Sequence, residues 1–187
     1  MANPIAESTE RYLAGLAPGR RTEAEHELLR DSVRPEGVDM DLADEINLAK
    51  AVKCVAGADG LSLDELAGLK YLMILSGLPL LAQQHVEGFD ASTTRVEDVA
   101  ALFPPASRKA CYVVSGVTTV AALDGLSNEE RDFAVELGAS LGLSATLVEL
   151  LVAEGRSMAG AMKLGHQELV AELARTREAI YDYVFDG

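Results

Sequence analysis

From Asp41 onward the apolar residues Leu42, Ile46, Leu48, Ala49, Val52, Val55 and Ala56 recur at helical spacing. They predict a helix that ends at Asp59-Gly60. Ser62 opens a second helix that runs to Leu75 and stops at Ser76-Gly77, and Pro79 stands where a third begins. The same sequence of signals returns further on. Ser127–Leu141 and Ser144–Ala153 read as helices, and a tail helix over 157–184 carries Leu164, Leu169, Leu173, Ile180 and Tyr183 on its apolar stripe. Met158 and Met162 read as packing residues on the same tail. Its His166, Glu168, Glu172, Arg175, Arg177 and Glu178 read as a solvated face. Ahead of residue 41, Ile5–Leu16 and Thr22–Val33 form two short amphipathic patterns separated by Pro18-Gly19. Between the two main blocks, Gly88–Pro105 holds one short helix near Val96–Leu102.

Ala106–Leu123 is the ambiguous stretch. Tyr112-Val113-Val114 and Val117-Thr118-Thr119-Val120 are aromatic or β-branched and favour strand locally. An internal repeat decides for helix. At a constant offset of 65, Val52 matches Val117, Val55-Ala56 matches Val120-Ala121, and Asp59-Gly60-Leu61-Ser62 matches Asp124-Gly125-Leu126-Ser127. Glu65 matches Glu130, Leu72 matches Leu137 and Gly77-Leu78 matches Gly142-Leu143, with no gap. The expected fold is therefore all-α: a compact helical domain built on two pseudo-symmetric helix–turn–helix repeats. Residues 1–40 form an N-terminal helical extension. Residues 41–155 are the duplicated core, with repeats 42–87 and 107–153. Residues 156–187 form a long C-terminal helix.

The turns have a physical reading. Gly60 and Gly125 can take the left-handed conformation that ends a helix. Leu61 and Leu126 pack back as staples, Ser62 and Ser127 cap the next helix, and Glu65 and Glu130 close capping boxes. Asp64 and Glu129 lie in the first helical turn, where the dipole favours anions. Asp59 and Asp124 are not required by the caps, and the same acid in both copies makes them candidates for function.

Composition narrows the chemistry. The net charge of −14 excludes a phosphate-binding surface of the usual basic kind, so no nucleic acid is expected, and the field would draw cations or basic partners instead. No charge-free run reaches the ~20 residues of a membrane span, so no direct membrane insertion is expected. The start, MANPIAESTER, does not read as a signal peptide, and a cytoplasmic location is expected. Cys54 and Cys111 lack CxxC spacing and read as reduced, buried thiols. His26, His85 and His166 are scattered, with no triad or HExxH pattern, and no phosphate-binding glycine motif appears. Nothing points to an enzyme. Gly60 and Leu61 follow Asp59 at once, so the turns are not EF-hand loops.

The two segments VKCVAGADGLSLDELAGLKYLM and VTTVAALDGLSNEERDFAVELGASLGLS resemble the tellurite-resistance TerB-like family, over roughly residues 42–155. The resemblance implies an all-helical domain with this duplication, in bacterial tellurite and stress-resistance systems. It implies that acidic turn residues chelate metal ions and that the protein docks partners in complexes at the inner face of the membrane. By position the implied ligands are Asp59, Asp64, Glu65, Asp124, Glu129 and Glu130, for a divalent cation of Ca or Mg type. The first copy departs from the pattern: Leu63 interrupts its acidic run, and Lys70, Tyr71 and Met73 occupy a helix expected to be more polar. The alternative is a pure protein–protein interaction or scaffold domain whose acidic turns only cap helices and solubilise the chain.

Overall fold

The fold follows from where the helix signals fall, and the computed structural model describes residues 3–32, 34–57 and 60–186. Among the described residues there are ten helices and no strand. They are α1 (Pro4–Gly15), α2 (Pro18–Asp31), α3 (Leu42–Ala56), α4 (Leu63–Leu75), α5 (Leu80–Glu87), α6 (Val96–Ala100), α7 (Arg108–Ala121), α8 (Asn128–Ser140), α9 (Ala145–Lys163) and α10 (Gln167–Phe185). The start of α4 recurs at α8, and that of α5 at α9, each 65 residues on. Pro18, expected within a break, is instead the first residue of α2, where its missing N–H costs nothing.

The ambiguous segment is helical. Every residue of α7 from Ala110 to Ala121 is buried. A helix that is apolar all round survives only when enclosed, and α3 and α9 pack on α7 more extensively than any other pair of elements. Burial of Val113, Val114, Val117 and Val120 outweighs the weak local preference of these residues for strand. Thr119 donates its hydroxyl to Ser115 O at 2.7 Å, satisfying itself within the helix. Gly155 lets α9 close on α7: a Cβ there would stand 3.0 Å from Thr118 Cβ and Cγ2.

The single tail helix expected over 157–184 is not formed. Helix α9 runs through Ala153 to Lys163 and ends at Gly165, whose φ is +70°. His166 N donates to Ala161 O at 2.9 Å and Gly165 N to Met162 O at 3.0 Å, the hydrogen bonds of a glycine-terminated helix. The chain turns there and α10 folds back on α9. The expected stripe is displaced with it. Leu164 and Tyr183 are exposed, while Tyr181 is fully buried with Ile180 and Phe185 against the core. Arg177, read as solvated, makes a bidentate pair with buried Glu154, Nη2 donating to Oε1 at 2.9 Å and Nε to Oε2 at 3.2 Å. The pair locks α10 to α9.

The N-terminal extension is tied to the core by buried polar groups. Lys50 on α3 is fully enclosed and donates to Ser8 Oγ (3.0 Å) and Thr9 Oγ1 (2.9 Å) on α1. Burial, with no carboxylate hydrogen-bonded to it, lowers its pKa to about 8. Glu45, also fully enclosed, has Arg34 at 3.5 Å, and burial pushes its pKa up to about 7. Cys54 and Cys111 are free and buried, and burial raises both thiols to about 11. Among the described residues no helix is long and apolar enough to cross a membrane.

Candidate functional site

From Gly60 and from Gly125 onward the chain is built alike. Gly60 and Gly125 have φ of +115° and +120°, a region closed to most side chains. Leu61 and Leu126 pack on the core as staples. Ser62 N donates to Glu65 Oε2 and Ser127 N to Glu130 Oε2, both at 2.8 Å. In return Glu65 N and Glu130 N donate to the serine hydroxyls, both at 3.2 Å. These are two complete capping boxes of identical geometry.

The caps use only one oxygen of each glutamate. Glu65 and Glu130 are each 1% exposed, and their other oxygens, Glu65 Oε1 and Glu130 Oε1, are buried with no donor in reach. The Glu65 carboxyl is close enough to act on that of Glu130. Burial first, and the Glu65 carboxyl second, push the Glu130 pKa up to about 7. Burial of two neighbouring carboxyl groups makes it costly to ionise both with no positive charge nearby. One shared proton satisfies the pair, and so does a cation.

The remaining candidates diverge. Asp64 is exposed and is held by Lys163 at 3.1 Å, the same ammonium that donates to Leu123 O at 3.1 Å. Asp124 and Glu129 are exposed to solvent. Asp59 lies outside the described residues. Among the described residues, no three of His, Cys, Asp and Glu gather closely enough to hold a metal ion. Of the candidate carboxylates, Asp64, Asp124 and Glu129 therefore face solvent, whereas Glu65 and Glu130 are buried. The capping box holds one oxygen of each glutamate at its own cap, and packing of the surrounding helices buries the other.

Two functional features escaped the sequence reading. Lys163 comes from the C-terminal region and neutralises Asp64, a pairing across 99 residues that no local pattern signals. The meeting of Glu65 with Glu130 depends on how α4 and α8 approach across the core. No protein-family model, curated protein or solved structure matches the chain.

Proposed function

We propose that the chain is a non-enzymatic, acidic helical module of the TerB-like kind, its two helix–turn–helix units related by a pseudo-two-fold axis. In this reading it works in the cytoplasm within a bacterial tellurite or stress-resistance-type system. It holds a divalent cation and docks protein partners, either basic ones or a membrane-associated complex. One observation carries the cation reading: Glu65 Oε1 and Glu130 Oε1 are each buried without a donor, and the Glu65 carboxyl is near enough to raise the Glu130 pKa. Hard oxygen donors of this kind suit Ca²⁺ or Mg²⁺. Asp124 and Glu129, free at the surface, and Asp59 by its sequence position would supply further oxygens. Bound, the ion would replace the shared proton and tie the two units together.

The scaffold reading is favoured by a different observation. Both capping boxes are complete without any ion, and Asp64 is already neutralised by Lys163. Calorimetric titration of Ca²⁺, Mg²⁺, Mn²⁺ and Zn²⁺ separates the two. The cation reading expects heat and a raised melting temperature in the wild type. Both are lost in Glu65→Gln/Glu130→Gln, which keeps the caps, and weakened in Asp59→Asn/Asp124→Asn. No heat and no stabilisation for any ion leaves a proton-sharing interaction module.

A further inference from the structure

Helices α4 and α8 occupy the same place in their units, yet their outer faces are opposite in chemistry. On α4 the outward positions are Leu63, Ala67, Tyr71, Ile74 and Leu75; Leu63 is 85% exposed, Ile74 60% and Tyr71 48%. The same positions on α8, 65 residues on, are Asn128, Asp132, Glu136, Ala139 and Ser140, all exposed. A polar face is thus compatible with this helix position, so the apolar face of α4 is not imposed by the fold. Together its side chains leave on the order of 500 Å² of apolar surface in water, at the upper end for a monomer.

We propose that this face is a homodimer interface, with α4 of one copy packed antiparallel against α4 of a second copy about a two-fold axis at Ala67. The N-terminal part of the stripe is symmetric about that residue, and Ile74 and Leu75 extend the face beyond it. Leu63 lies one turn before it and Tyr71 one turn after, so antiparallel pairing sets Leu63 of each copy on Tyr71 of the other. Ala67 at the crossing point is small enough for close helix approach. A groove of 440 Å³ runs beside it, walled by Tyr71, Leu123, Met162 and Val170, and receives the Leu63 side chain of the opposite copy.

The charges agree with the same register. Pairing about Ala67 sets Lys70 of one copy opposite Asp64 of the other. Within one chain Lys70 is 3.5 Å from Glu87, and Asp64 is 3.1 Å from Lys163. The dimer therefore strings Glu87, Lys70, Asp64 and Lys163 into a row of alternating sign on each side of the axis. An isologous contact requires such self-complementarity. Two such apolar faces with their polar flanks reach the ~1,000 Å² of total buried area that a specific interface needs. The net charge of −14 is screened beyond about 8 Å at physiological salt, so it opposes association only at close range, where the paired charges offset it.

The test is sedimentation equilibrium of the full chain over a wide concentration range. The wild type should pass from the 19.8 kDa monomer to twice that mass. Leu63→Asn/Ala67→Asp/Tyr71→Glu, which transplants the α8 face, should weaken dimerisation by about thirtyfold or more while leaving the helical circular dichroism unchanged. The register is tested by mixing. Lys70→Glu alone and Asp64→Lys alone each set like charges opposite one another and should be weaker dimers. Their equimolar mixture should form a heterodimer tighter than either, because both cross-pairs become opposite in sign. A wild type that stays at monomer mass throughout overturns the proposal. So does a dimer that the transplanted face leaves intact, or a mixture no tighter than its components.

Discussion

The two stretches related by the 65-residue offset share their left-handed glycines and serine caps and bury different side chains. In the first unit, α3 buries Glu45 and Lys50; at the corresponding positions 65 residues on, α7 buries Ala110 and Ser115. In the first unit the outward face of α4 is apolar; in the second, that of α8 is polar. The neighbours account for the inner difference. Helix α3 meets the N-terminal helices α1 and α2, whose Ser8, Thr9 and nearby Arg34 give polar partners to buried charge. Helix α7 is enclosed mainly by α3, α8 and α9, and its buried stretch from Ala110 to Ala121 carries no charged residue. Glycine turns and capping boxes set the backbone path, and each helix face answers to whatever covers it.

The largest way to break this comparison is in the core of α4 and α8. Leu137 on α8 is fully buried, whereas its counterpart Leu72 on α4 is half-buried. Leu137→Ala should cost ~2–5 kcal/mol in urea denaturation, and Leu72→Ala about half as much. Equal costs would show that the two helices pack alike after all.

Buried charge in the first unit gives the next effect, through pH. Glu45 has a folded pKa of about 7 against an ordinary 4.5, so the folded chain holds the proton more tightly than the unfolded one. Its contribution to stability is full below pH 4.5 and is lost as pH rises through 7, a fall of about 3 kcal/mol. Glu130 slopes the same way. Urea midpoints at about pH 5 and about pH 8 should differ in the wild type by clearly more than in Glu45→Gln, where the parts of Glu130 and Glu154 remain. An unchanged difference in Glu45→Gln would mean that Glu45 is ionised in the folded chain.

The smallest effect sharpens what the units share. Ser62→Ala and Ser127→Ala each remove an N-cap of the same geometry and should each cost about 1 kcal/mol. Thermal unfolding of the two variants should agree closely. A clear inequality would trace to the neighbours of one cap, since the hydrogen bonds themselves are matched.

Much of the backbone was legible because its signals are short-range. Gly60 and Gly125 end one segment, Ser62 and Ser127 begin the next, and Glu65 and Glu130 stand three residues on, all within one turn of chain. The repeat at an offset of 65 carried the helical assignment of α7 past its β-branched residues. The break at Gly165 used the same glycine signal, but the apolar residues on both sides continue at helical spacing and masked it.

The side-chain chemistry of the site was decided elsewhere. A capping box fixes where one glutamate oxygen goes and is silent about the other, so only the approach of α4 to α8 brings Glu65 and Glu130 together. Arg177 looks solvated along its own helix until α10 folds back and sets it on Glu154. Asp64 looks free until Lys163 arrives from the C-terminal region. The sequence by itself determined the caps, the turns and the all-helical class, because these depend on backbone groups a few residues apart. Only the tertiary structure decided which carboxylates are buried, which are neutralised and which apolar face is left in water. Those outcomes depend on desolvation and on partners that lie far away along the chain.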